Sequence, residues 1–307
     1  MNNGQMWYDD GGNAIQAHGG CIIKVGSKFF WYGENKGIDN VPGERRVYAI
    51  GISCYSSENM VDWHNEGIVL KADENDPESR LYYKNIIERP KVIYCEKTNK
   101  FVMWFHLDDS NYAFARAGLA ISDSPTGPFE FVGSFRPNRH YVQDITVFKD
   151  RDNTAYLIHA TEGDYSLCIS RLTDDYLNLD GHFKMILTEQ EREAPAVCVH
   201  NGVYYMVTSG CTGWEPNNAL FAISSGIDNQ WKLIDNPCEG ENYRKTFFGQ
   251  SSYIFCEEGN YYLMLDHWLP DDLKNSGYSI LPIEFNDDRT MTVNWREHWN
   301  GIPFKKA

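Results

Sequence analysis

The sequence predicts an all-β chain folded as a five-bladed β-propeller. Three observations point there. Pairs of short strand-forming runs, joined by turn residues, recur five times along the chain. After each pair come two further short runs, so that four strands make one unit. No stretch of about 11 or more residues carries a helical period.

The pairs run in order. Residues 21–25 and 28–32 flank Gly26-Ser27, and residues 91–94 and 101–105 flank Lys97-Thr98-Asn99. Residues 145–148 and 155–158 flank Asp150-Arg151-Asp152-Asn153. The fourth pair occupies 192–207 and turns at Gly202; the fifth is 252–255 and 261–265, around Glu258-Gly259-Asn260. Gly, Asn, Asp and Ser supply the backbone shapes that such turns need. The third runs are 49–53, 118–122, 167–170, 220–224 and 278–281, most closing on Ser. The fourth runs centre on Trp63, Phe129 to Phe131, Phe183, Trp231 to Leu233 and Met291 to Trp295. The repeat length is roughly 50 to 70 residues, which suits four strands and their loops. A charged insertion at 73–80 is expected to be a solvated loop. No linker or low-complexity segment interrupts the chain, so one domain spanning 1–307 is expected. Ring closure has two candidates, a strand from Met6-Trp7-Tyr8 or one from the segment from Trp299 to Phe304.

Composition narrows the partners. The chain has 307 residues, of which 14% are aromatic, including 19 Tyr and 9 Trp. These side chains suit strands and also suit the faces of sugars. A net charge of −15 argues against nucleic acid and against an anionic membrane surface, both of which require basic patches. The eight cysteines lack CxxC spacing, most lie in apolar runs, and buried thiols are expected. The nine histidines are scattered without an HExxH motif. G-x-S-x-G, G-x-G-x-x-G and Walker A motifs are likewise missing, so neither a metal nor a cofactor is expected. The N-terminus has no basic and apolar leader pattern. A cytoplasmic protein is the default expectation; a signal peptide already removed would leave the same sequence on a secreted one.

In a propeller the first strand of each blade lines the central channel, and its opening residue lies near the channel mouth. The openers are Gln16-Ala17-His18-Gly19-Gly20, Glu88-Arg89-Pro90, Gln143-Asp144, Glu193-Ala194-Pro195 and Gly249-Gln250-Ser251. One such residue is ordinarily a solvated strand end. A polar or acidic residue in all five units is better explained by one funnel into which they converge. Convergent charges split pKa values, as acid–base chemistry requires. Glycoside hydrolysis without a covalent intermediate needs a protonated acid for the leaving oxygen and a group on the other face that directs water.

These motifs resemble glycoside hydrolase family 43, and within it the exo-β-1,3-galactanase branch. The resemblance rests on the blade-one opener with Phe30-Trp31-Tyr32-Gly33-Glu34, and on Glu88-Arg89-Pro90-Lys91-Val92, Gln143-Asp144-Ile145 and Glu193-Ala194-Pro195-Ala196. Ser209-Gly210-Cys211-Thr212-Gly213-Trp214-Glu215-Pro216-Asn217 and Gln250-Ser251-Ser252-Tyr253 complete it. It implies a five-bladed propeller and an inverting hydrolase of β-1,3-linked galactose, with galactose-containing oligo- or polysaccharides as partners. By motif, Glu193 corresponds to the general acid. Asp144 corresponds to the residue that orients it and disfavours its ionised form by like-charge repulsion. Glu88 corresponds to a ligand of sugar hydroxyls, with a salt bridge to Arg89 as the competing reading.

One departure matters. Most of the wider family opens the first blade with an Asp as general base, whereas here the position reads Ala17-His18-Gly19. The galactanase branch shares this feature, and Gln250 takes the corresponding role there, positioning water or acting through its imidic tautomer. The bland alternative is a hydrogen-bonding residue at a strand start. Tyr112 and Trp214 correspond to a hydroxyl and an apolar face for galactose, with a place in the core as the alternative. Glu34, Thr212 and Asn217 are candidate hydroxyl ligands and equally candidate structural residues. Two other functions stay open at this point. One is a carbohydrate-binding propeller without catalysis, favoured by the missing blade-one Asp and opposed by the presence of Glu193 and Asp144. The other is a different family 43 activity, α-L-arabinofuranosidase or β-xylosidase.

Overall fold

A computed structural model describes residues 1–302. Its strands form five sheets, in each of which four consecutive strands lie side by side in chain order. Blade 1 comprises β1 (His18–Val25), β2 (Lys28–Glu34), β3 (Gly51–Ser57) and β4 (His64–Lys71). Blade 2 comprises β5 (Ile86–Cys95), β6 (Lys100–Asp108), β7 (Arg116–Ser122) and β8 (Glu130–Phe135). Blade 3 comprises β9 (Ile145–Lys149), β10 (Ala155–Ala160), β11 (Leu167–Leu172) and β12 (Leu179–Ile186). Blade 4 comprises β13 (Arg192–His200), β14 (Val203–Gly210), β15 (Leu220–Ser224) and β16 (Lys232–Leu233). Blade 5 comprises β18 (Gln250–Glu257), β19 (Asn260–His267), β20 (Gly277–Phe285) and β21 (Met291–Asn294). It gains a short parallel edge strand, β17 (Cys238–Glu239), which the sequence reading did not anticipate.

The first strands close a ring, with β1 against β5, β5 against β9, β9 against β13, β13 against β18 and β18 against β1. Strand alternation explains how the blades adhere. Successive side chains of a strand point to opposite faces. In β2, Phe30 and Tyr32 pack toward blade 2, while Phe29 and Trp31 pack toward blade 5. In β6, Phe101, Met103 and Phe105 face blade 1, while Val102 and Trp104 face blade 3. Each blade interface thus holds its own apolar cluster, the remaining two lying between blades 3 and 4 and between blades 4 and 5. Truncating one fully buried aromatic such as Trp31 would cost about 3–5 kcal/mol.

Among the described residues, neither terminal segment adds a full strand to close the ring. Gln5 makes an isolated bridge to Tyr278, and Asn2 one to His298. Trp7 is buried among Trp31, Tyr278 and their neighbours at the junction of blades 5 and 1. The Met1 and Trp299 backbones bond each other in both directions, each at 2.9 Å. Pro303 and Phe304 lie outside the described residues. The third strand of blade 1 starts at Gly51 and runs to Ser57, later than expected. Its polar end is buried, with Ser56 donating to Glu66 at 2.6 Å. Six cysteines are buried; Cys211 and Cys256 are exposed.

Candidate active site

The strand openers reach the channel mouth through a repeated backbone device. In blades 1, 2 and 4 the pairing of the first two strands slips by one residue directly after the opener, at His18/Cys21, Glu88/Lys91 and Glu193/Ala196. The residue next after the opener is left-handed in each: Gly19 at φ 57°, Arg89 at φ 50° and Ala194 at φ 50°. Such a bulge bends the strand and re-aims the flanking side chains. For Arg89 and Ala194, which carry a Cβ, it costs about 1–2 kcal/mol each. Blade 5 has a comparable slip after Ser251.

The result is a cavity of about 260 Å³ at the mouth of the ring, just below the usual range for drug-sized ligand pockets. Glu34, Glu88, Tyr112, Asp144, Glu193, Trp214 and Gln250 line it, as do Arg89, His106, Gln143, Gly213 and Trp268. Glu193 accepts a hydrogen bond from Gln250 Nε2 at 3.0 Å. Gln250 Oε1 in turn accepts from Arg89 Nη2 at 2.6 Å and from Trp268 Nε1 at 2.9 Å. Arg89 Nε stands 2.5 Å from Asp144 Oδ1. Trp214 and Trp268 meet edge to face with centroids 5.4 Å apart, building an aromatic wall.

On the opposite wall a charged network supports the carboxylates. Lys36 Nζ lies 2.9 Å from Glu34 and 3.5 Å from Glu88. His106 reaches Glu88 at 3.7 Å and Asp108 at 3.0 Å. Burial works against charge on Glu88, but Lys36 and His106 outweigh it and hold its carboxyl well below the usual range. Burial pushes Glu34 up, aided by the charge on Glu88 and resisted by Lys36. Of two carboxyls sharing one lysine, one stays ionised and the other tends to keep its proton. Burial also opposes a charge on His106, yet its bonds to Asp108 and Glu88 prevail and carry its pKa to about 9.

The comparisons with known proteins agree with this geometry. A family model described as glycosyl hydrolases family 43 matches residues 20–237. The chain belongs to glycoside hydrolase family 43. It is a glycoside hydrolase on a five-bladed propeller. A family 43 β-1,3-galactosidase solved with galactodeoxynojirimycin has a TM-score of 0.91 to it at 35% identity, over 98% of this chain and 100% of its own. An exo-β-1,3-galactanase from Phanerochaete chrysosporium, solved as a variant with β-1,3-galactotriose, has a TM-score of 0.86 at 32% identity, over 95% and 66%. Another from Clostridium thermocellum has 0.85 at 34% identity, over 95% and 64%. A comparison with curated proteins found no match.

Within this family 43 site, four expectations need correction. His18 does not stand at the mouth. It is fully buried, bonded to Asp266 at 3.2 Å and to the Tyr278 hydroxyl at 3.0 Å. Glu34, its partner across the β1–β2 ladder, lines the cavity instead. Thr212 and Asn217 do not line it either, because their polar atoms hold the loop that carries Gly213 and Trp214. Thr212 donates to the Glu215 carbonyl at 2.6 Å, while Asn217 bonds both the N–H and the carbonyl of Gly210 at 2.8 and 2.7 Å. Glu88 is held by Lys36 and His106 and not by Arg89, which is committed to Asp144 and Gln250. Asp144 is paired with that guanidinium. Sequence reasoning missed Arg89, Lys36, His106 and Trp268 as site residues. Arg89 stands beside a residue that it had picked out, the blade 2 opener Glu88.

Proposed function

We propose that this chain removes terminal β-1,3-linked galactose from galactan-type saccharides, with inversion at the anomeric carbon. The observation that carries the reading is the Glu193–Gln250 contact inside a cavity sized for about one sugar residue. The galactosidase and galactanases named above support the substrate, and the small cavity suits action at a chain end.

In this reading Glu193 donates its proton to the leaving oxygen as water attacks from the other face of the ring. Gln250 stands on the side of the water. Asp144 and Arg89 hold the pair in place. Trp214 and Trp268 offer faces for the less polar side of galactose. Glu88, ionised, accepts hydrogen bonds from sugar hydroxyls, and Glu34 donates when it keeps its proton. In the substrate-free state Gln250 and Glu193 touch, whereas inverting sites separate their two groups by about 6.5–9.5 Å. The contact therefore opens when the sugar binds.

Digestion of β-1,3-galactotriose tests the reading. Galactose and β-1,3-galactobiose are expected as first products, and a triose labelled at its reducing end should yield labelled galactobiose before labelled galactose. An intact triose, together with cleavage of arabinan or xylan oligosaccharides, would point to another family 43 activity.

A further inference from the structure

We propose that Lys36 is a positioning residue for sugar binding, holding Glu34, Glu88 and Trp268 in one frame on the wall that a galactosyl ring meets. The inference rests on the reading of the cavity as the galactose subsite.

Lys36 follows β2 by two residues and is buried. Its ammonium meets three residues that line the cavity. Nζ lies 2.9 Å from Glu34 Oε2, 3.5 Å from Glu88 Oε1 and 5.7 Å from the ring centroid of Trp268. These side chains come from the end of β2, from β5 and from the residue after β19, so one cation ties blades 1, 2 and 5 together. An ammonium has three N–H donors and no acceptor. It can serve two carboxyls at once and still face an indole ring. Burial opposes the charge on Lys36, but Glu34 and Glu88 outweigh it and raise its pKa.

The two carboxyls are fitted closely around this cation. The Tyr112 hydroxyl donates to Glu88 Oε1 at 3.5 Å, and His106 stands 3.7 Å from Glu88 Oε2. Glu34 packs on the backbone of Gly19, where a Cβ would lie 3.1 Å from its Oε1. Without the ammonium, two carboxyls would share one wall with no charge between them, and they would repel or compete for one proton. Neither would then meet the ring as before, and the indole would lose its cation. The loss falls on binding of the ring, because Glu34 and Glu88 meet hydroxyls that do not react.

Lys36→Met is expected to raise KM for β-1,3-galactobiose by about 10-fold or more, with kcat changed less than about 3-fold. An unchanged KM, or a loss in kcat as large as the rise in KM, would overturn the proposal. Charge compensation supplies a second readout. Adding Glu34→Gln to Lys36→Met removes the surplus carboxylate and keeps a side chain of the same shape. It should lower KM by about 3-fold or more relative to Lys36→Met. A lysine that only filled space would give no recovery, and that result would also overturn the proposal. If Lys36→Met does not fold, Lys36→Arg carries the test. It keeps the buried charge on a longer, planar group, and should raise KM by about 3-fold or more with a smaller change in kcat; an unchanged KM would again overturn the proposal. The unsubstituted protein separates the two readings. If it leaves β-1,3-galactobiose intact, the galactose reading fails and the inference falls with it. If it cleaves the disaccharide and the Lys36 variants show no rise in KM, the inference fails alone.

Discussion

The mouths of blades 1 and 4 use the same backbone and reach opposite ends. Each opens with a polar side chain, each bulges at the next residue, and that residue is left-handed in both. Yet His18 is sealed beneath the site against Asp266 and Tyr278, while Glu193 faces the cavity beside Gln250. The scaffold offers equivalent positions, and the chemistry depends on what the next blade presents to each. Blade 5 gives His18 a carboxylate and a phenol to bond, and it gives Glu193 an amide held by a cation. Two of the buried histidines extend the contrast. Burial is the larger effect at His18 and lowers its pKa despite Asp266, whereas at His106 two carboxylates outweigh burial and raise it.

The largest expected effect tests the blade 4 side. Glu193→Gln should lower kcat on β-1,3-galactobiose by about 10²-fold or more, with unfolding free energy changed by no more than about 1 kcal/mol. A variant of normal activity would remove Glu193 from the chemistry. On the blade 1 side the pattern should reverse. His18→Asp puts a second buried carboxylate beside Asp266 in place of the imidazole bonded to it, and should cost about 3 kcal/mol or more in urea unfolding. It should not create a new base, since position 18 does not reach the cavity. A stable variant with an altered pH–rate profile would break the comparison.

A third expectation, comparable in energy but confined to one pH window, concerns His106. Its folded pKa lies above its unfolded value. Its contribution is therefore complete below about pH 6.5 and is lost as pH rises through about 9. Across that window the shift corresponds to about 3 kcal/mol. His106→Gln should be less stable at pH 6 and should show a shallower loss of stability between these limits. An unchanged slope would mean that Glu88 and Asp108 do not hold its proton.

The strand pairs and the ring were legible in the sequence because turn residues punctuate runs of strand formers at a nearly constant interval. Glu88, Asp144, Glu193 and Gln250 were legible as openers, and the cavity brings all four together. Arg89 was not. Adjacent residues of a regular strand face opposite ways, so alternation places Arg89 away from Glu88. The left-handed bulge puts both on one cavity, and nothing in residue type announces that bulge. Lys36 and His106 were hidden for a related reason. They lie beyond or along second strands, where the sequence pattern alone shows only alternation. Thr212 and Asn217 stayed open in the sequence because hydroxyl and amide groups serve a loop as readily as a sugar, and in the structure their polar atoms bond the loop.

The most direct measurement is proton NMR of the first galactose released from β-1,3-galactan, recorded before mutarotation. Inverting, exo-acting hydrolysis is expected to release α-galactose first, with the β anomer growing in later. Initial release of β-galactose, or of larger fragments without galactose, would contradict it.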